Sequence, residues 1–381
     1  MRHQKVTLII AFISSFLSIN AQKTKVDSIS HNVLQSVLVE VPDDVDSTDK
    51  RSSLNAYPYA FYSPETQLAF GAGGIFIFHT SESEILKPSK IGFGGYYSTN
   101  KQYKISMNNT FYFWDNNLYF NIPISYGYFI NKYWGIGKDA IDYDSASYAM
   151  ETFSASFTMQ LPPIWFDADR SGIIFDYDKT EIVDKLDNAL LLNDSLPGAN
   201  GGQLIGIGAD LLWDSRDNIF FPNSGGYQYF KTIFHPGVSD YTYATFELDV
   251  RHYTAFKKDH VLAGNFFLQS TIGETPFYKM PAIGGKQMRG YFFGRYRDNF
   301  FAMLQMEYRQ YFSKKMGFVV FGTIGDVSSS ILEYRLKTPK YSYGAGLRYL
   351  FNEKERVNLR MDIGIGIDGS TGIYFGIEEA F

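Results

Sequence analysis

The 381-residue chain contains no cysteine, and that absence removes disulfide frameworks, thiolate zinc sites and thiol nucleophiles together. Histidine is scarce at 6 residues, which leaves little for metal binding or acid–base work, and neither a metal nor a cofactor is expected. Past the N-terminus no unbroken apolar run reaches the ~20 residues that a membrane-spanning helix needs. Positive charge is not in excess either. The formal net charge is −5, the opposite sign from that of a nucleic-acid binder, so no nucleic-acid partner is expected. No GxSxG motif occurs. His235 and His252 fall on neighbouring predicted strands, but nothing marks a partner serine, so no enzyme is expected.

What the chain holds in quantity is aromatic residues and glycine. Aromatics make up 18%, including 29 Tyr and 34 Phe, beside 34 Gly and a mean hydropathy of only −0.18, a combination rare in soluble enzymes. Residues 1–21 have a basic start at Arg2 and Lys5, an apolar run over residues 6–17 and a small residue at Ala21, which reads as a secretory signal peptide. Removing this leader takes the formal net charge from −5 to −7. An exported chain this aromatic is either a periplasmic or surface β protein or a transmembrane barrel.

Periodicity bears on that choice. Over residues 356–367, Val357, Leu359, Met361, Ile363, Ile365 and Ile367 alternate with Arg356, Asn358, Arg360, Asp362, Gly364 and Gly366, a period no helix has. Similar alternation fills residues 118–128, 244–250 and 341–349. A soluble sandwich also alternates. Aromatics at strand ends, namely Tyr96, Tyr97, Phe111, Phe113, Trp134 and Trp213, favour the interfacial girdles of a barrel in lipid. Sixteen strand segments can be counted, from residues 56–63 to residues 372–381, an even number as a barrel wants. The first is the weakest because Pro58 lies in it. The fold expected is therefore all-β, a single transmembrane antiparallel barrel over residues 56–381, preceded by a polar periplasmic tail over residues 22–55 that carries Asp43, Asp44, Asp46 and Asp49. With both ends in the periplasm, the connections near residues 130–147, 178–203, 273–300 and 328–340 come out external, while residues 80–89 form an unusually long periplasmic turn.

Two motifs are set aside. Gly364, Gly366 and Gly369 spell GxGxxG, but no helix follows them. Asp167, Asp169, Ser171 and Asp178 around Gly172 imitate a calcium loop without its flanking helices or final glutamate, and read as a hairpin turn.

More specific is the long connection that contains Gly284 and Gly285, then Met288, Arg289, Gly290 and Tyr291. It resembles the conserved-loop motif of the BamA/TamA superfamily of outer-membrane transporters, the bacterial surface antigen barrels. Two further stretches resemble the same family. Asp214, Arg216 and Asp217, followed by Pro222 and Gly225, are similar to its turn motif, and Met306 to Arg309 to the strand after the loop. The resemblance implies that the loop folds back into the lumen and that Arg289 meets acidic residues on the following strands. Glu307 has the lumen parity; on the next strand the family's aspartate is replaced by Thr323, with Asp326 three residues on. The final strand ends on Phe381, as the family's assembly signal does, with Phe375 and Ile377 on the same parity and Glu379 interrupting that face.

The resemblance also implies a place in the bacterial outer membrane, in contact with its lipid, and a part in outer-membrane protein assembly or translocation. Family members carry periplasmic POTRA domains ahead of the barrel, and residues 22–55 are too few for one, so a short form is expected, working with a periplasmic or barrel-assembly partner. The alternative is a passive pore or scaffold barrel without protein transport.

Overall fold

The computed structural model describes residues 52–381, apart from residues 64–65, 84, 142–145, 164–166, 187, 193–194, 336–337 and 354–355. The leader and residues 22–51 of the tail lie outside the described residues. Sixteen strands follow one another: β1 (Ser52–Ser63), β2 (Gln67–Phe78), β3 (Ser89–Ser98), β4 (Tyr103–Phe113), β5 (Leu118–Lys132), β6 (Ser147–Leu161), β7 (Arg170–Asp184) and β8 (Gly201–Asp214). The second half holds β9 (Gly225–His235), β10 (Tyr243–Lys257), β11 (His260–Gly273), β12 (Phe300–Tyr311), β13 (Met316–Ser328), β14 (Lys340–Asn352), β15 (Val357–Gly366) and β16 (Thr371–Ile377). Each pairs antiparallel with its sequence neighbours, and β1 comes round against β16, so the sheet is rolled into a barrel.

The alternation seen in the sequence sets the two faces. On β12, Gln305, Glu307 and Arg309 are buried inside, while Leu304 and Met306 are exposed outside at 47% and 41%. On β15, Asn358, Arg360 and Asp362 point inward between outward-facing Leu359, Met361 and Ile363. Strand pairing satisfies the ladder groups between sequence neighbours from β1 to β16, and an outward apolar band then removes the need for water on that face.

Several elements differ from expectation. β1 begins at Ser52, so residues 52–55 belong to the wall rather than to the tail. β7 extends to Asp184, well past residue 177, and carries an outward Lys179–Glu181 ion pair at 2.9 Å. That hairpin continues beyond the lipid band, where outward side chains become charged and mimic a loop. Trp134 is no girdle residue: it is 4% exposed, packed edge-on against Phe292 with Arg295 over its ring. The histidine pair is separated by register, His235 opposite Tyr243 and His252 opposite Gly226, near opposite ends of the β9–β10 ladder.

The ten-residue connection 79–88 folds back onto its neighbour. Lys87 N donates to Asn116 Oδ1 at 2.7 Å, Asn116 Nδ2 donates to Ile85 O at 2.7 Å, and Leu86 is buried. At the other end of the barrel, Tyr133, Tyr148, Leu191 and Phe277 from three long connections and a strand form an apolar cap.

A sheet rolled so that nearly all its strands are paired on both sides leaves detergent little edge to attack. The protein should therefore migrate as a compact band on cold SDS gels and shift on boiling, with the unboiled species β-rich by circular dichroism. Recovery of the mature chain as a soluble periplasmic protein would overturn this architecture.

Candidate functional site

The connection 274–299 between β11 and β12 enters the barrel and fills its middle. It doubles back on itself, with Ile283 N donating to Tyr296 O at 2.9 Å and Gly294 N to Ile283 O at 2.9 Å, and Gly284 and Gly285 take the chain past Phe293. Ile283, Met288, Tyr291 and Tyr296 of the loop pack with Phe267, Phe301, Met303 and Val327 of the wall into one buried cluster. This plug is apolar at its centre. Its edges are polar: Arg297 Nη1 donates to Phe277 O at 2.8 Å, and Arg295 Nη1 to Ala140 O at 2.9 Å.

Two glycines set how deep the loop sits. Gly290 has φ +113, and a Cβ there would lie 2.6 Å from the backbone of Ile365. A Cβ on Gly364 would lie 2.7 Å from Gly290 N and from the carbonyl carbon of Arg289. Backbone presses on backbone, which only glycine permits. The contact is fastened by Gly290 N donating to the Tyr374 hydroxyl at 2.9 Å, by the Tyr291 hydroxyl donating to Tyr341 O at 2.7 Å, and by Ile367 N donating to the Tyr291 hydroxyl at 3.2 Å. The GxGxxG spacing thus includes a side-chain-free window on the inner wall.

Arg289 projects from this contact into a buried charge network. Its guanidinium is 1% exposed, donates through Nη1 to Asp362 Oδ2 at 2.5 Å and through Nη2 to Glu307 Oε1, and lies 3.6 Å from the centre of the Phe321 ring. Arg309 Nε donates to Glu307 Oε2 at 3.0 Å. Asp362 also accepts from Arg348 Nη1 at 2.6 Å and Arg360 Nη1 at 2.9 Å, and Glu379 Oε2 accepts from Arg348 Nε at 2.7 Å. Four arginines therefore share three carboxylates, and Gln305 and Thr323 extend the network, Thr323 Oγ1 donating to Gln305 Oε1 and Gln305 Nε2 to Glu307 Oε1, both at 3.3 Å. Charge-assisted bonds of this kind fix geometry and offset the cost of burial.

The structure places the sequence-derived residues unevenly. Met288, Arg289, Gly290, Tyr291 and Glu307 come together, but among the described residues neither Thr323 nor Asp326 shares a hydrogen bond or ion pair with Arg289. Asp326 instead accepts from its own neighbour, Val327 N, at 2.9 Å. The second acid is Asp362 on β15, because the Gly364 window draws the loop to that strand and Asp362 is the next inward residue on it. The alternation over residues 356–367 already carried this signal, since Asp362 and Gly364 share the inward parity. Arg309 falls in the strand motif after the loop and Arg348 and Arg360 on the polar parity of their alternating segments, but the pattern does not say that they meet in one network.

The turn residues form a separate structure at the short-turn end. Arg216 donates to both oxygens of Asp214, at 2.7 and 2.9 Å, and Asp217 Oδ1 accepts from Asn223 N at 2.7 Å and Ser224 N at 3.1 Å. Pro222 is buried in that turn, and Gly225 opens β9.

The chain end is also corrected. Phe375 and Ile377 keep the outward parity on β16, paired with Met361 and Leu359, but Glu378 has φ +67 and turns the chain inward. Glu379 is consequently in the lumen, not on the lipid face, and Asn358 Nδ2 donates to its Oε1 at 2.7 Å. The Phe381 ring lies 5.0 Å from the Arg309 guanidinium and stacks on Tyr253 at 6.3 Å.

The family model described as "Omp85 superfamily domain" matches residues 87–381. Among solved structures, BamA from Haemophilus ducreyi lacking POTRA domains 1–3 aligns with TM-score 0.57 and 16% identity, covering 87% of this chain and 73% of that one. CdiB from Acinetobacter baumannii aligns with TM-score 0.54 and 10% identity, covering 86% of this chain and 60% of that one. No curated protein matches the chain.

Removing the guanidinium would leave two carboxylates buried short of a partner. Arg289→Ala should cost about 3 kcal/mol and lower the temperature at which the compact gel band is lost. Gly364→Leu should act through the same docking, so the double variant should cost little more than the worse single. Fully additive losses would show that the window and the arginine are independent.

Proposed function

The chain belongs to the Omp85 superfamily and resides in the bacterial outer membrane, and on that premise we propose that it assists the assembly or translocation of other proteins there, through its wall and together with a partner protein. The observation that carries this reading is the division between a filled lumen and a poorly joined wall. The loop cluster occupies the middle of the barrel, which argues for a working surface elsewhere than a through-channel. The wall supplies a candidate at β1 and β16. These strands lie against each other, yet among the described residues no ladder register joins them.

Their lengths disagree as well, twelve residues in β1 against seven in β16. Seven residues span roughly 23 Å at about 3.3 Å each, so part of β1 has no partner strand beside it. The Tyr57 ring of β1 lies 6.3 Å from the Phe351 ring of β14, although β15 and β16 separate those strands in the sheet order. Pro58 removes one ladder donor from the same strand. A strand with unpaired backbone groups is a template for another strand, which is how a client β segment would be received. No chemical step is assigned to the protein in this reading.

Native cysteine is absent, so disulfides can be placed without interference. Cysteines scanned along β1 against one at Ile373 of β16 should lock the seam, and in a strain that depends on the protein, locking should lower growth and outer-membrane protein content until reductant is added. Unchanged growth and content with the seam fully locked would replace this reading by that of a passive or scaffold barrel.

A further inference from the structure

The short-turn end of the wall carries a cavity of about 570 Å³ at the turns that follow β10, β12 and β14. Its floor is apolar, with Val261, Tyr311 and Leu350 from the wall, and Phe221 from the β8–β9 connection edge-on to Tyr311 at 5.3 Å. Its rim is basic. Lys257 and Lys258 come from the first turn, Lys314 from the second and Arg356 from the third, against one lining carboxylate, Asp259. Backbone bonds hold the turns side by side: Tyr311 N donates to Asp259 O at 3.1 Å and Leu350 N to Lys315 O at 2.8 Å. Arg356 is matched, pairing with Asp217 at 3.4 Å, and the adjoining Lys315 is paired with Glu353. Lys257, Lys258 and Lys314 are exposed and, among the described residues, form no hydrogen bond or ion pair through their side chains. Even with Asp259 set against them, two positive charges are left over.

Directly outside the same turns stands a row of rings that faces lipid. Phe256, Tyr308, Phe318 and Phe312 follow one another at 6.2, 6.1 and 6.4 Å between ring centres, and Phe256 and Phe312 are exposed at 52% and 59%. Toward the middle of the wall the outward residues of β12 are apolar, Leu304 and Met306. At the level of the row they become polar: the Tyr308 hydroxyl donates to Gln310 Oε1 at 2.8 Å and lies 2.6 Å from His260 Nδ1. Aromatic rings giving way to polar groups mark the level where hydrocarbon meets headgroups. Phe312 both ends the row and lines the cavity, so the two are contiguous.

We propose that this rim is a binding site for an anionic glycerophospholipid of the leaflet at the short-turn end, with its phosphate among Lys257, Lys258 and Lys314 and its acyl chains along the aromatic row. Unmatched lysines at a membrane surface draw anionic headgroups, whereas a zwitterionic headgroup brings its own cation and leaves the surplus uncompensated. An acidic protein segment would satisfy the lysines but would make no use of the lipid-facing rings beside them. A lipid uses both. The site depends on residence in the membrane and not on the assembly function.

The test is native mass spectrometry of the purified protein in neutral detergent, titrated with phosphatidylglycerol or with phosphatidylcholine of the same acyl chains. Phosphatidylglycerol should bind about tenfold more tightly or better. The triple variant Lys257→Gln, Lys258→Gln, Lys314→Gln should lose that preference and keep the boiling shift on gels, because these side chains have no partners in the fold. Replacing the same three by Arg should retain it. So should removing three charges toward the long-loop end, with Lys101→Gln, Lys138→Gln and Lys179→Gln, which controls for net charge. Equal binding of the two lipids, a preference that survives the rim variant, or one lost equally in the control variant would overturn the assignment.

Discussion

A buried guanidinium must be given carboxylates, and in this barrel that requirement decides where everything inside the wall can sit. Arg289 arrives on a loop between β11 and β12, but its two acids stand on β12 and β15, so satisfying the charge fixes the loop against two separate parts of the sheet. The gain is positional more than energetic, since a well-packed apolar substitute can match a buried ion pair in stability. What an apolar substitute lacks is direction. The planar fork of Arg289 has to lie over Phe321 while reaching both acids, and few loop placements allow that.

The apolar and polar parts of the plug divide the work. Ile283, Met288 and Tyr291 supply burial, the glycine contact supplies proximity, and the charges choose among placements that burial alone would leave nearly equal. The same logic closes the chain: Glu379 turns away from lipid because Arg348 and Asn358 offer it partners in the lumen, and the left-handed Glu378 makes the turn.

The wall was legible in the sequence because each strand must satisfy lipid on one face and a polar lumen on the other, so period-two patterning recurs sixteen times. β15 shows this best, where Leu359, Met361 and Ile363 alternate with Arg360, Asp362 and Gly364. Legibility failed where the pattern reports something other than membrane. Outward Lys179 and Glu181 hid the top of β7, and the aromatic Trp134 imitated a girdle residue while serving the inner packing of two loops. In the lumen, parity announced that Asp362 faces inward but not that the loop would lean toward it. That depends on the absence of side chains at Gly290 and Gly364, a contact between residues 74 positions apart. The inward course of residues 274–299 was read from resemblance to a family and not from periodicity, which loops do not possess.

Because every strand pairs with its sequence neighbour, almost all of the wall can form by adding one hairpin to the last. The inward loop breaks that simple order. It is synthesised before β12, β13, β14 and β15, yet Arg289 has no complete site until Glu307 and Asp362 are both in place, and Asp362 lies on the penultimate strand. Loop closure over so many residues is slow relative to hairpin formation. The arginine thus acts as a clock as well as an anchor: its insertion can be completed only when the sheet is nearly whole, so the sealed lumen records that the rest of the wall has already been built.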